Sequence, residues 1–189
     1  VRSPEKVELG KRLGAVDSID RGEFAGMMRK GGESEEEENE RFKVSRGFAK
    51  RVKELLGDAP DIVFEHVGKA TFPTSVFTVK AFGKVVICAG TTGLNLDFNV
   101  AYLWMRQKEI LGSHFANAYE CTKANELIES GQIRPGLWRT LGFEGVAEAH
   151  QLMLENKHLG KISILVGAER EGEGKTSDGP GASRAEVGA

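Results

Sequence analysis

The sequence predicts an α/β fold built on a doubly wound, mostly parallel sheet. Apolar runs that end in polar residues and glycine, DIVFEHVG (61–68) and GKVVICAGTTG (83–93), suit parallel strands buried on both faces. Helical stretches alternate with those runs, and strands alternating with helices make βαβ units. EILGSHF (109–115) and KISILV (161–166) supply a third strand and a last one.

Taken in order, residues 4–14, PEKVELGKRLG, open with proline at a helix start and set Val7, Leu9 and Leu13 among charges. Gly14 stops that pattern as a glycine just past a helix end would. Residues 15–19 read as a short strand. Residues 22–47 are strongly polar and contain ESEEEENE, which reads as a solvated, acidic insertion or mobile loop. RGFAKRVKELL (46–56) places Phe48, Val52, Leu55 and Leu56 on one helical face.

After the 61–68 strand, TFPTSVFTVKAF (71–82) fits a short helix and its exit. YECTKANELIES (119–130) forms an amphipathic helix closed by Gly131. GFEGVAEAHQLMLENKHLG (142–160) is another helix. From Ala168 onward the chain is rich in Gly, Glu and Ser and reads as a disordered tail, 168–189.

At 189 residues with a net charge of −2, the chain can bury one sizeable core and is no generic nucleic-acid binder. No apolar run approaches the ~20 residues that span a bilayer. Cys88 and Cys121 make neither a disulfide framework nor a four-thiolate zinc site, so a reducing, cytoplasmic setting is expected.

Several stretches look chemical. GEGKT (172–176) suggests a phosphate-binding loop, but Glu169 stands where the leading glycine is needed, and that reading is rejected. His150 and His158 have no third ligand at metal spacing and read as surface histidines. Glu65 and His66 end a strand, so they are either a polar pair at the sheet rim or part of a ligand crevice lined also by Gly68. GTTG (90–93) carries the same ambiguity. Arg2, Ser3 and Lys6 are polar residues at a helix start. If a strand precedes them, two bases and a hydroxyl there favour a ribose 2′-phosphate. On the residues alone, His114 reads as a core histidine bonded to a backbone carbonyl.

The order RSPEK…LGAVDSID, DIVFEHVG, GKVVICAGTTG, ILGSHFAN, FEGVAEAH…LGKISILV resembles the medium-chain dehydrogenase/reductase superfamily. Within it, EHVGKATFPTSVF, YLWM, GSHFAN and ANELIESGQIRP resemble the crotonyl-CoA carboxylase/reductases and their enoyl-CoA reductase relatives. The likeness covers nearly all of residues 1–167. It implies a partial NADP-binding Rossmann domain over 1–167, including a carboxyl-terminal return to the substrate domain.

The resemblance implies NADPH-dependent reduction of a 2-enoyl-CoA such as crotonyl-CoA. Hydride reaches the β-carbon, and the resulting enolate takes up CO₂ or a proton. His114 matches the histidine that helps hold CO₂ through a bound water, and Phe115 and Asn117 would shape the pocket. Arg2, Ser3 and Lys6 would meet the 2′-phosphate. His66, Val67 and Gly68, with Ala89, Gly90 and Thr91, would border the nicotinamide and its ribose. Cys88 would pack, and no zinc is expected. A homo-oligomer, dimer or tetramer, is implied for the full-length protein, with β-strand pairing along EILGSHF a candidate contact.

The family's amino-terminal GroES-like domain, first strand and glycine-rich pyrophosphate turn have no counterpart in these residues, so a fragment is expected. Loss of a central strand leaves open sheet edges and exposed apolar faces, and the chain alone is expected not to fold to a stable active monomer. The alternatives are a non-carboxylating enoyl-CoA or quinone/enone reductase, or an inactive cofactor-binding or interaction module.

Overall fold

The computed structural model describes residues 3–29, 31–170, 175–176 and 179–180. The chain divides into two compact units, Val1–Val7 with Val16–Ala118, and Glu8–Ala15 with Tyr119–Ala189. Helix α1, Pro4–Arg12, contributes residues to both.

Residues 15–19 form no strand. Val16 is exposed, and the Asp17 carboxylate accepts from the Ser18 amide in a local turn. A 3₁₀ segment, Arg21–Met27, follows.

The acidic run is not a mobile loop. It opens α2, Glu35–Leu56, a helix of 22 residues. Ser34 caps it by accepting from the Glu37 amide, while the Glu37 carboxylate accepts from the Ser34 amide at 2.8 Å. Glu35, Glu36, Glu37 and Glu38 fill the first turn, where the helix dipole favours negative charge. The run is solvated as its composition suggests, Glu35–Glu40 being exposed, but it is helical rather than a loop. Gly57, at φ 82°, ends the helix.

Three parallel strands form the sheet of this unit in the order β1-β2-β3: β1 is Ile62–Glu65, β2 Lys84–Ile87 and β3 Glu109–Gly112. Helix α3, Phe72–Thr78, and the single turn α4, Ala101–Trp104, complete it. Phe72, Val76 and Val79 join Val85 in the core, with Val63, Ile87, Leu96 and Phe98 packed around them. Each fully buried Val or Phe is worth roughly 1.5–3 kcal/mol against exposure. Phe42 of α2 meets Phe77 edge-on at 5.2 Å and stacks on Tyr102 at 5.4 Å, tying α2, α3 and α4 together.

Strand β1 is covered on one face only, contrary to the two-faced burial its composition predicts. Val63 and Glu65 face the covered side, whereas Ile62 and Phe64 stand 59% and 64% exposed. Alternation along a strand sends successive side chains to opposite faces, and no described helix covers the second. Ile110 and Leu111 on β3 are exposed as well.

The other unit holds α5, Ala118–Glu129, with none of its residues buried. Next come β4, Leu137–Leu141, a 3₁₀ turn, Phe143–Gly145, then α6, Val146–Leu154, and β5, Lys161–Ile164. β4 and β5 pair in parallel through the α6 crossover, with a bulge between Leu137 and Arg139. The helix expected over 142–160 is therefore shorter than its pattern. Within the expected tail, Lys175–Thr176 (β6) and Gly179–Pro180 (β7) form a small antiparallel ladder.

Candidate functional site

All three parallel strands of the larger sheet send their carboxyl ends the same way, and their exit loops are joined there. The Cys88 amide donates to the Glu65 carbonyl at 3.1 Å, and the Ser113 amide to the Ile87 carbonyl at 2.9 Å. Pairing thus continues one residue past β2 and β3.

The first exit loop, 66–71, is folded around a buried carboxylate. Glu65 is only 4% exposed. Its Oε1 accepts from the Val67 amide at 2.7 Å, the Gly68 amide at 3.2 Å and the Thr71 hydroxyl at 2.9 Å. Its Oε2 accepts from Ser75 at 2.5 Å and from Thr71 at 3.0 Å. Thr71 and Ser75 lie one helical turn apart at the start of α3, so strand end, loop and helix share one anchor.

The second exit loop is locked to the first. Thr92 donates to the Val67 carbonyl from both its amide and its hydroxyl, each at 2.8 Å, and Thr91 donates to the same oxygen at 3.2 Å. In return the Ala70 amide donates to the Thr92 hydroxyl at 3.0 Å, and the Lys69 amide to the Gly93 carbonyl at 3.3 Å. Gly68 sits at φ +90°, and a Cβ there would lie 2.7 Å from the Gly90 Cα and 2.8 Å from the Gly93 carbonyl. Only glycine allows that approach.

The third strand end carries His114 and Phe115. Their rings lie 3.6 Å apart, and Phe115 takes φ +56° with its side chain 89% exposed. A left-handed phenylalanine is uncommon and costs backbone energy. His114 is exposed, so it is not the core histidine that the residues alone suggest. Asn117 is exposed too, one residue before α5.

Of the residues singled out from sequence, the structure brings together Val67 and Gly68 with Gly90 and Thr91, leaving His66 and Ala89 exposed beside them. Ser3 and Lys6 occupy the start of α1, where the Lys6 amide donates to the Ser3 hydroxyl at 3.4 Å. Arg2 lies outside the described residues, as do 172–174 of GEGKT. Lys175 and Thr176 belong to β6 rather than opening a helix. Cys88 is an exposed free thiol, which corrects its reading as a packing residue. His158 is half-buried, with Nδ1 unpartnered, and not a plain surface histidine.

Sequence reasoning left Glu65 divided between rim and crevice; it is neither, since it holds the turn from beneath. Thr71 and Ser75 escaped notice, and Thr92 was marked only as part of GTTG. A hydroxyl pair four apart, following a strand-end carboxylate, was the available signal. Two clefts, of about 440 and 600 Å³, flank α2, and none of the singled-out residues lines them.

A family model described as zinc-binding dehydrogenase matches residues 1–130. The chain belongs to the zinc-binding dehydrogenase family. Two curated relatives of this chain are a crotonyl-CoA carboxylase/reductase of Cereibacter sphaeroides, 38% identical over 91% of this chain, and a crotonyl-CoA reductase of Streptomyces collinus, 39% identical over 92%. The chain spans 41% and 38% of their respective lengths. Among solved structures, crotonyl-CoA carboxylase/reductase AntE in complex with NADP superimposes with a TM-score of 0.81 at 44% identity, over 90% of this chain and 43% of that one.

The family name raises the question of zinc. Among the described residues, no group of three or more His, Cys, Asp or Glu side chains could hold a metal ion. The donor set of the described residues does not fit zinc. For a dinucleotide the fit is better. In open parallel sheets such ligands lie in the crevice outside the carboxyl ends of the strands, where His66, Ala89 and Thr91 are exposed.

Proposed function

We propose that this dehydrogenase chain is the NADP-binding part of an enoyl-CoA reductase that reductively carboxylates crotonyl-CoA or a related 2-enoyl-CoA. The observation that carries the reading is the locked pair of strand-exit loops, with His114 at the end of the neighbouring strand. Support comes from the AntE structure, whose ligand is NADP, and from relatives named for crotonyl-CoA.

NADPH supplies the hydride when bound. The chain's residues orient and protect. Backbone at His66, Val67 and Gly68, with Ala89, Gly90 and Thr91, borders the nicotinamide and its ribose. Ser3, Lys6 and Arg2 meet the 2′-phosphate, where basic side chains and a hydroxyl suit the extra charge. Hydride so supplied would reach the β-carbon of the enoyl-CoA and would leave an enolate at the α-carbon. His114 orders a water that holds CO₂ against that carbon, using one ring nitrogen while the protein fixes the other. Phe115 and Asn117 shape the pocket and restrict stray proton donors, since water competes for the same carbanion. The protein acts in the cytoplasm as a homo-oligomer, dimer or tetramer.

The test is reduction of crotonyl-CoA by NADPH, with and without bicarbonate, followed by product analysis. An ethylmalonyl-CoA-type product with bicarbonate is expected. Butyryl-CoA under both conditions would leave reduction standing and remove carboxylation.

A further inference from the structure

Glu65 is a buried acidic group with no counter-ion among the described residues. Its partners are the Val67 and Gly68 amides and the Thr71 and Ser75 hydroxyls, all neutral, and no described cation pairs with it. Buried carboxylates are ordinarily paired with a positive group, because dipoles alone offset desolvation incompletely. Four donors and no acceptor suit the ionised form, which accepts only. The charge is held at the carboxyl end of β1, and the turn carrying His66, Val67 and Gly68 wraps it.

We propose that the positive charge Glu65 lacks is brought by the ligand, as the pyridinium ring of an oxidised nicotinamide. The inference rests on the NADP reading above and adds a role for a residue outside the bordering set. In hydride transfer the C4–H bond of the dihydronicotinamide breaks, and both electrons leave with the hydrogen for the β-carbon. The ring, neutral before, is a cation afterwards, and the negative charge resides on the enolate. A fixed carboxylate nearby favours the charged ring over the neutral one. It therefore favours the transition state, in which that charge is developing. Glu65 acts through space and touches neither ring nor substrate.

A merely structural anchor and an electrostatic partner differ in one measurable quantity. Loosening the turn weakens NADP⁺ and NADPH alike; removing a charge changes their ratio. Dissociation constants for both nucleotides, measured on the expressed protein by NADPH fluorescence and competition with NADP⁺, give that ratio directly. Glu65→Gln keeps the shape and removes the charge, and should shift preference toward NADPH by roughly three- to tenfold. Ser75→Ala keeps the charge and removes one screening donor, so it should shift preference toward NADP⁺.

Equal weakening of both nucleotides in Glu65→Gln would overturn the inference and leave the NADP reading intact. Should Glu65→Gln not fold, Ser75→Ala decides, an unchanged ratio counting against the proposal. Failure of the unsubstituted protein to bind either nucleotide would overturn both readings.

Discussion

Ser45 of α2 and Thr74 of α3 share a hydrogen bond of 2.9 Å in the interior, where the two residues are 2% and 4% exposed. It is a polar weld between helices otherwise joined by aromatic rings. Ser45→Ala or Thr74→Val leaves one hydroxyl buried without a partner, and each is expected to cost about 1–2 kcal/mol. The double variant should cost less than the two singles added, by about 0.5–1 kcal/mol, read from urea midpoints.

The ion pair between Arg41 and Glu33, 2.9 Å long and with both side chains nearly buried, should be worth far more than its neighbour on the surface. Glu33→Ala strands a buried guanidinium with only Glu38 left to it and is expected to cost about 3 kcal/mol. Glu40→Ala, which breaks the exposed pair with Lys43, should cost well under ~1 kcal/mol. Thermal melts of the two variants check the contrast.

Lys108 donates from Nζ to the carbonyls of Val76 and Phe77, at 2.7 and 3.2 Å, closing the end of α3. Burial, helped by nearby Arg106, lowers its pKa from the ordinary 10.5. The folded state then releases the proton before the unfolded chain does, so between the two pKa values the unfolded chain binds more protons. Stability contributed by this group therefore rises with pH up to about 10.5. Lys108→Met should remove that alkaline rise, seen by comparing unfolding free energies from pH 8 upward.

Gly68 and Gly57 both have positive φ, yet their substitution should differ sharply. At Gly57 (φ +82°) an added Cβ meets nothing within 4 Å, so Gly57→Ala pays only the conformational penalty, about 1 kcal/mol. At Gly68 the Cβ strikes the backbone of the second exit loop. Gly68→Ala is expected to cost at least ~3 kcal/mol and to abolish nucleotide binding. Melts with a binding titration separate the two.

His114→Asn tests the proposed carboxylation. NADPH oxidation with crotonyl-CoA should persist, while the carboxylated fraction of product falls at least tenfold at fixed bicarbonate. An unchanged fraction would remove His114 from CO₂ binding.

The parallel sheet was legible because its strands are apolar runs closed by glycine, and that pattern follows from backbone geometry alone. The acidic run was misread because charge composition says nothing of position. Ser34 and Glu37, three apart, were the visible capping signal. β4 was not legible, since Pro135 and Gly136 precede it and Arg139 interrupts it; its partner β5 supplies the order. At the site, the strand ends were placed correctly from DIVFEHVG. The lock between loops was not, because it depends on Thr92 meeting Val67, 25 residues away.

That lock also fixes what a ligand can ask of the protein. The Val67 oxygen has two lone pairs and already receives three donors from Thr91 and Thr92. It has no capacity left for the carboxamide N–H of a nicotinamide. On the proposed NADP reading, recognition of that amide falls to other acceptors on the same rim, such as the Ala89 carbonyl, and the oxygen nearest the junction serves as mortar between the loops.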